Sequence, residues 1–299
     1  MAIDAYAFMF KNKFLNLQSI GVIIFPNCMR KPFILTILLL FSLCFGRGAE
    51  YLNVTDVSYT GKKDSYSQER LKLDISYPAD SASSSFPVII WFHGGGLTGG
   101  EKFIPAQLEG KGYVVVAPNY RLIPQVDVEA CIDDAAEAVA WAFANIADYG
   151  GDPSQIFVAG HSAGGFLTSM IGLDKSRLAR YGIDADSIAA LIPYSGQVIT
   201  HFSDRKQMGI GELTPWVDAN APLYHVRPGA PPYIIITGDA DQELYGRYEE
   251  NLYMWRMMKL AGNDDVRIYK LDGYDHGSMA EPAHHILLRE IENLSRKNQ

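Results

Sequence analysis

Two apolar rhythms alternate along this 299-residue chain beyond residue 50. The segments "YLNVTDVSYT" and "RLKLDISYP" alternate apolar and polar residues, as half-buried strands do. They predict an antiparallel edge with its turn over residues 61–68. "PVIIWFH" (Pro87 to His93) and "YVVVAPNY" (Tyr113 to Tyr120) are continuous β-branched and apolar runs, the pattern of strands buried on both faces. From about Val128 to Tyr149 the period changes. Ile132, Ala135, Ala136, Val139, Phe143 and Ile146 recur at helical spacing, and Gly150 and Gly151 end the helix. "QIFVAG" is the next strand, followed by a short helix after Ser162, then "IAALIPYSG" and "PYIIITGD". A helix around Glu243 to Leu260, the strand "DVRIYKLDG" and a last helix near Pro282 complete the order. Strands alternating with helices imply an α/β fold, a mostly parallel central sheet with helices on both faces. Ligands then sit beyond the carboxyl ends of the strands.

The N-terminus follows neither rhythm. "MRKPFILTILLLFSLCFGRGAE" begins at Met29 with Arg30 and Lys31, runs apolar from Phe33 to Phe45, and ends in small residues. That order of charge, apolar core and small residues predicts a secretory signal peptide over 29–48, with cleavage near Gly48. The apolar run falls short of the roughly 20 residues a membrane span needs. A membrane anchor, a buried strand and lipidation at Cys44 are the alternatives, although bulky Leu43 suits a lipoprotein cleavage site poorly. Residues 1–28 read as a surplus leader ahead of the true start, and 49–299 as one catalytic domain. The expected location is the periplasm or the extracellular space.

Composition narrows the picture. The chain is 48% hydrophobic and 20% charged, ordinary for a globular domain, and its net charge of −8, with no basic cluster, argues against a nucleic-acid partner. Of three cysteines, Cys28 and Cys44 lie in the atypical N-terminus. Cys131 stands alone in a helical pattern and reads as a buried, inert thiol.

The stretch "FVAGHSAGGF" breaks its strand with glycines that would weaken any regular element. Gly160, Ser162 and Gly164 have G-x-S-x-G spacing between a strand and a helix. A turn this tight forces its apex into a strained conformation, demands small neighbours, and lifts the Ser162 hydroxyl above the sheet. These are the mechanics of a nucleophile for acyl transfer. A serine hydroxyl needs a base. Of seven histidines, His276 in "DGYDHGSM" follows a strand ending at Leu271, at the catalytic edge of the sheet. A carboxylate should orient it. In "IITGDADQEL", Asp241 lies three residues beyond Gly238 and has the better spacing, with Asp239, in the tight turn itself, as the alternative. Asp275, adjacent to His276, is badly placed to orient that ring. "HGGG" (His93 to Gly96) follows a buried strand. Its free backbone N–H groups, with that of Ala163, suit an oxyanion hole, and His93 is expected to brace the loop. Phosphate-cradle patterns are absent.

Five segments together, "VIIWFHGGG", "VVAPNYRLIP", "YGGDPSQIFVAGHSAGG", "IITGDADQ" and "GYDHGSM", resemble the α/β-hydrolase esterases of the "HGGG" type. These include the hormone-sensitive-lipase-like, feruloyl/acetyl-esterase and kynurenine-formamidase branches. The resemblance covers roughly residues 65 to 290. It implies an α/β-hydrolase fold, Ser162, Asp241 and His276 as triad, and Gly95, Gly96 and Ala163 as oxyanion donors, with Gly94 as a further candidate. It implies no cofactor and no metal. Many lipase-like members carry an acidic residue before the serine, whereas His161 stands here. The two-helix N-terminal cap seen in such enzymes is missing, so a minimal cap is expected. The sizeable insertion lies between Gly196 and Pro231, where Met208, Ile210, Leu213, Trp216 and Tyr224 read equally as pocket lining or as core.

These readings converge on an exported serine carboxylesterase for short-chain or aryl esters, including acyl groups on polysaccharides. The alternatives are an arylformamidase, an oligopeptidase-like amide hydrolase and a non-catalytic binding module.

Overall fold

A computed structural model describes residues 50–80 and 85–297. The chain divides into two units at Arg47/Gly48, and the described residues all belong to the second. The signal peptide, its leader, Cys28 and Cys44 lie outside the described residues.

The continuous apolar runs form the middle of an eight-stranded sheet, where both faces of a strand are covered. β1 (Tyr51–Ser58), β2 (Lys72–Pro78), β3 (Phe86–Phe92), β4 (Val114–Pro118), β5 (Gly151–His161), β6 (Ala190–Tyr194), β7 (Tyr233–Thr237) and β8 (Val266–Lys270) stand in the order β1-β2-β4-β3-β5-β6-β7-β8. β1 with β2 and β2 with β4 pair antiparallel, and the remaining neighbours pair parallel. This is the α/β-hydrolase arrangement of a mostly parallel sheet.

Successive strand residues point to opposite faces. Val88, Ile90 and Phe92 accordingly join one buried cluster, and Ile89 and Trp91 join another. The first is covered by α2 (Val128–Asn145), α3 (Ala163–Leu173) and α6 (Arg247–Leu260), which contribute Ile132, Phe166 and Met254 among others. The second is covered by α7 (Ala280–Lys297), whose Ala283, Leu287, Ile291 and Leu294 form one stripe. Two short helices, α4 (Lys175–Ala179) and α5 (Phe202–Gln207), lie in connections.

The turn expected at 61–68 holds a further helix, α1 (Ser65–Arg70), because Asp64 accepts from the Ser67 N–H at 2.8 Å and caps it. α2 is capped likewise by Asp127 at 2.9 Å and ends in a tighter turn at Gly150, where φ is +75°. Cys131 is buried and its thiol donates to the Arg121 carbonyl at 3.1 Å; burial pushes it up to about 12. α6 starts at Arg247, not at Glu243, a difference with consequences for the site. Among the described residues, no helix is long and apolar enough to cross a membrane.

Candidate active site

β5 ends at His161 and α3 begins at Ala163, so Ser162 alone makes the turn, with φ +56° and ψ −113°. That strained conformation is tolerated where surrounding structure over-determines it. The Ser162 N–H donates to the Tyr194 carbonyl at 2.8 Å, and its carbonyl accepts from Phe166 at 3.0 Å. A side chain at Gly164 would place its Cβ 2.1 Å from the Phe92 carbonyl oxygen, so only glycine lets the helix start this close to β3. Ser162 stands where a serine commonly caps a helix, yet its side chain makes no capping bond. Its Oγ lies 2.8 Å from His276 Nε2 instead.

His276 Nδ1 lies 2.7 Å from Glu243 Oε2, and the Glu243 side chain is buried. Burial disfavours the charge on Glu243, but His276, the Ser195 hydroxyl and the Gly238 N–H (2.9 Å) all hydrogen-bond it and hold its carboxyl at about 2. An ionised carboxylate only accepts, so His276 donates from Nδ1. Nε2 is then left as the base facing the Ser162 hydroxyl. Serine, histidine and carboxylate form one continuous chain.

The carboxylate is therefore Glu243, and the expectation for Asp241 is corrected. The Asp239 carbonyl accepts from the N–H groups of Gln242 and Glu243 at 3.0 and 2.9 Å. The segment thus turns helically, and residues two apart on such a turn point in nearly opposite directions. Glu243 faces inward, while Asp241 is exposed and touches neither His276 nor Ser162. Asp239 does not orient the histidine either. Its carboxylate takes the Gly273 N–H at 2.7 Å and its N–H donates to the Tyr274 carbonyl at 2.8 Å, which ties the Glu243 loop to the His276 loop. Asp275 closes its own turn through the N–H groups of Gly277 (3.0 Å) and Ser278 (2.7 Å).

Sequence reasoning also missed Ser195. It follows β6 with φ +43°, and its hydroxyl donates to Glu243. The buried Arg247 guanidinium donates to the Ser195 carbonyl at 2.6 Å, fixing that turn from below. A serine directly after a buried strand, in "IPYSG", was the available signal.

The glycine loop lies beside the serine. A Cβ on Gly94 would stand 3.4 Å from Ser162 Cβ, and Gly95 has φ +118° while its carbonyl takes the N–H groups of Thr98 and Gly99. His93 braces this loop. It is buried, stacks on Tyr120 with centroids 4.4 Å apart, and its Nδ1 donates to the Gly94 carbonyl at 2.7 Å. α5 braces it from the other side, where the Ser203 hydroxyl donates to the Gly96 carbonyl at 2.5 Å. Gly94, the neighbour of Gly95 and Gly96, thus lies against Ser162, and Ala163 opens α3 directly after it.

One cavity borders this centre, and a second lies by the segment that follows Glu243. The first, of about 710 Å³, is lined by Gly94, His161 and Gly277 together with Phe103, Tyr274 and Glu281. The other, of about 300 Å³, is lined by Ile199, Arg205, Leu213 and Tyr245. Met208, Leu213, Trp216 and Tyr224 are exposed, so they are not core, and of these Leu213 lines the smaller cavity. Among the described residues no cluster of three or more His, Cys, Asp or Glu side chains is arranged to hold a metal ion.

A family model described as BD-FAE matches residues 73–255, more than half the chain. The chain belongs to the BD-FAE family. The match takes in the glycine loop, Ser162 and Glu243 but ends before His276, which the fold alone brings to the serine. Among curated relatives, a "Probable carboxylic ester hydrolase LipM" of Mycobacterium tuberculosis is 31% identical over 52% of this chain and 41% of its own length. "Esterase LipC" of the same organism is 28% identical over 69% of this chain and 56% of its own length. The chain thus spans roughly half the length of these relatives. Among solved structures, Thermogutta terrifontis esterase 2 phosphoramylated by tabun superposes with a TM-score of 0.62 and 27% identity, over 81% of this chain and 93% of that one. A truncated carbohydrate esterase from gut microbiota superposes at 0.69 over 83% of this chain and 98% of that one, with 19% identity, a likeness of fold.

Proposed function

We propose that this chain is a serine carboxylesterase working through an acyl-enzyme. The observation that carries the reading is the unbroken line from the Ser162 hydroxyl through His276 to the ionised Glu243, at 2.8 and 2.7 Å. His276 Nε2 takes the hydroxyl proton as Ser162 attacks the ester carbonyl. The imidazolium that results is stabilised by Glu243 through Nδ1–H. Negative charge gathering on the carbonyl oxygen is met by the N–H groups of Gly95, Gly96 and Ala163. Each such donor contributes roughly 3–4 kcal/mol of transition-state stabilisation. His276 then returns its proton to the leaving alkoxide, and water, activated by the same nitrogen, releases the acid.

The alcohol portion occupies the cavity of about 710 Å³, because Tyr274, Gly277 and Ser278 of the His276 loop form its wall and the leaving oxygen must reach Nε2. Its exposed aromatic rings, Phe103 and Tyr274, and its polar groups, Gln107 and Glu281, suit a bulky hydroxylated alcohol such as an acylated sugar. The names of the relatives favour ester over amide cleavage. Residues 29–48 support an exported enzyme.

Turnover of p-nitrophenyl acetate and labelling by a fluorophosphonate probe test this. Wild type is expected to do both and Ser162→Ala neither; equal rates in the two proteins would remove the proposal. A panel of acetylated and feruloylated polysaccharides tests the alcohol assignment.

A further inference from the structure

We propose that His161 is a positioning residue that seats the His276 ring between Ser162 and Glu243 by donating a hydrogen bond to the His276 main-chain carbonyl. The role rests on the reading of Ser162 and His276 as the reacting pair.

His161 Nε2 lies 2.7 Å from the His276 carbonyl oxygen. A carbonyl only accepts, so the proton sits on Nε2 and the lone pair on Nδ1. Nδ1 faces the glycine loop, 3.3 Å from where a Gly94 Cβ would stand. The two rings are tilted by 41° with centroids 4.9 Å apart, close but not stacked.

The bond matters because of where its ends lie. His276 sits in a stretch between β8 and α7 that belongs to no regular element. One anchor of that stretch is the pair of Asp239 bonds at Gly273 and Tyr274, upstream of His276. The other is His161, at His276 itself. His161 is the last residue of β5, held in register beside Tyr194, and it is the immediate neighbour of Ser162. Base and nucleophile are thereby referenced to the same strand end, and an error in one is shared by the other.

The chemistry needs a donor that stays neutral. When His276 takes the serine proton, a second cation 4.9 Å away would oppose it. Burial and the neighbouring His276 push His161 down to about 4, so it remains neutral as His276 becomes charged. An ionised carboxylate at this position, the residue type of many lipase-like chains, has no proton to give a carbonyl. The histidine here is therefore not interchangeable with it on this loop.

Three variants of the full chain test the role. His161→Phe keeps a ring but has no N–H. His161→Gln carries an N–H at nearly the reach of Nε2. His161→Asn is polar but too short. His161→Phe and His161→Asn are expected to lower kcat on p-nitrophenyl acetate, and the rate of fluorophosphonate labelling, by more than about tenfold, with KM within about threefold. His161→Gln is expected to stay within about threefold of wild type on both. Asn and Gln differ in reach and little in polarity, so their contrast survives if the phenylalanine variant does not fold. Wild-type rates in His161→Asn, or a folded His161→Gln as impaired as it, overturn the role while leaving the serine esterase reading standing. A wild type that neither turns over ester nor takes the probe overturns both.

Discussion

Glu243 and Asp241 carry the same functional group two residues apart, and about half a helical turn separates the buried one from the exposed one. Replacing Glu243 by Gln removes the charge that stabilises the His276 imidazolium. It also sets an amide NH₂ against the Ser195 hydroxyl and Gly238 N–H or, if flipped, against His276 Nδ1–H, forcing the proton to Nε2. Glu243→Gln is expected to lower kcat on p-nitrophenyl acetate by roughly 10²–10⁴-fold. Asp241→Asn should stay within about threefold, as for a surface side chain. The reverse ranking in a steady-state assay would restore Asp241. Spacing from Gly238 favours Asp241 over Asp239, in the tight turn, and the pattern puts Glu243 at the start of the following helix. The left-handed Gly246, with φ +63°, delays that helix to Arg247 and leaves a loop long enough to fold Glu243 back over the strand ends. Ser162 was legible because it sits directly after its strand, where the sheet itself fixes the geometry, and His276 because it lies in the loop that follows the last strand.

At the scale of elements, the strand–serine–helix turn depends on close backbone contact between β5, α3 and β3. Gly164→Ala would put a methyl 2.1 Å from the Phe92 carbonyl oxygen, an atom that cannot swing away as a side chain can. The variant is expected to lose roughly 3 kcal/mol of stability in urea unfolding, the upper end of the usual overpacking range. Displacement of Ser162 should slow probe labelling of the folded fraction as well. A variant as stable and as reactive as wild type would show that β3 and α3 have slack the packing denies. The strands were readable from unbroken β-branched runs, and α7 from its one-sided stripe. α1 was not, because "SYSQER" is polar and its start depends on one cap from Asp64.

Across the whole molecule, burial has left several histidines neutral. Burial, the largest influence on each, holds His93, His161 and His284 at about 4, and pushes His201 well below its ordinary range. An unfolded histidine titrates near 6.5. Below that value the unfolded chain binds protons that the native state refuses until about 4, so their contribution to stability is full above pH 6.5 and is lost as pH falls. Asp204 and Glu250, raised by burial, act in the opposite sense and offset part of this. Glu243 adds a loss at lower pH, between its unfolded range near 4.3 and about 2. Unfolding near pH 5 is expected to take up about two to four protons, so that stability falls by roughly 1.4 kcal/mol per pH unit for each. Urea unfolding from pH 7 to 4.5 measures this, and a flat profile would contradict it. The sequence by itself determined the order of the strands and of the longer helices, the elbow at Ser162, the glycine loop and the histidine after β8. All of these follow from local periodicity and the backbone demands of glycine. Only the tertiary structure decided which carboxylate meets His276, that Ser195 and Arg247 support it, and that His161 holds the His276 carbonyl. Those choices depend on loops from β5, β6, β7 and β8 converging at one sheet edge, where contacts link residues more than 30 positions apart and no local pattern records them.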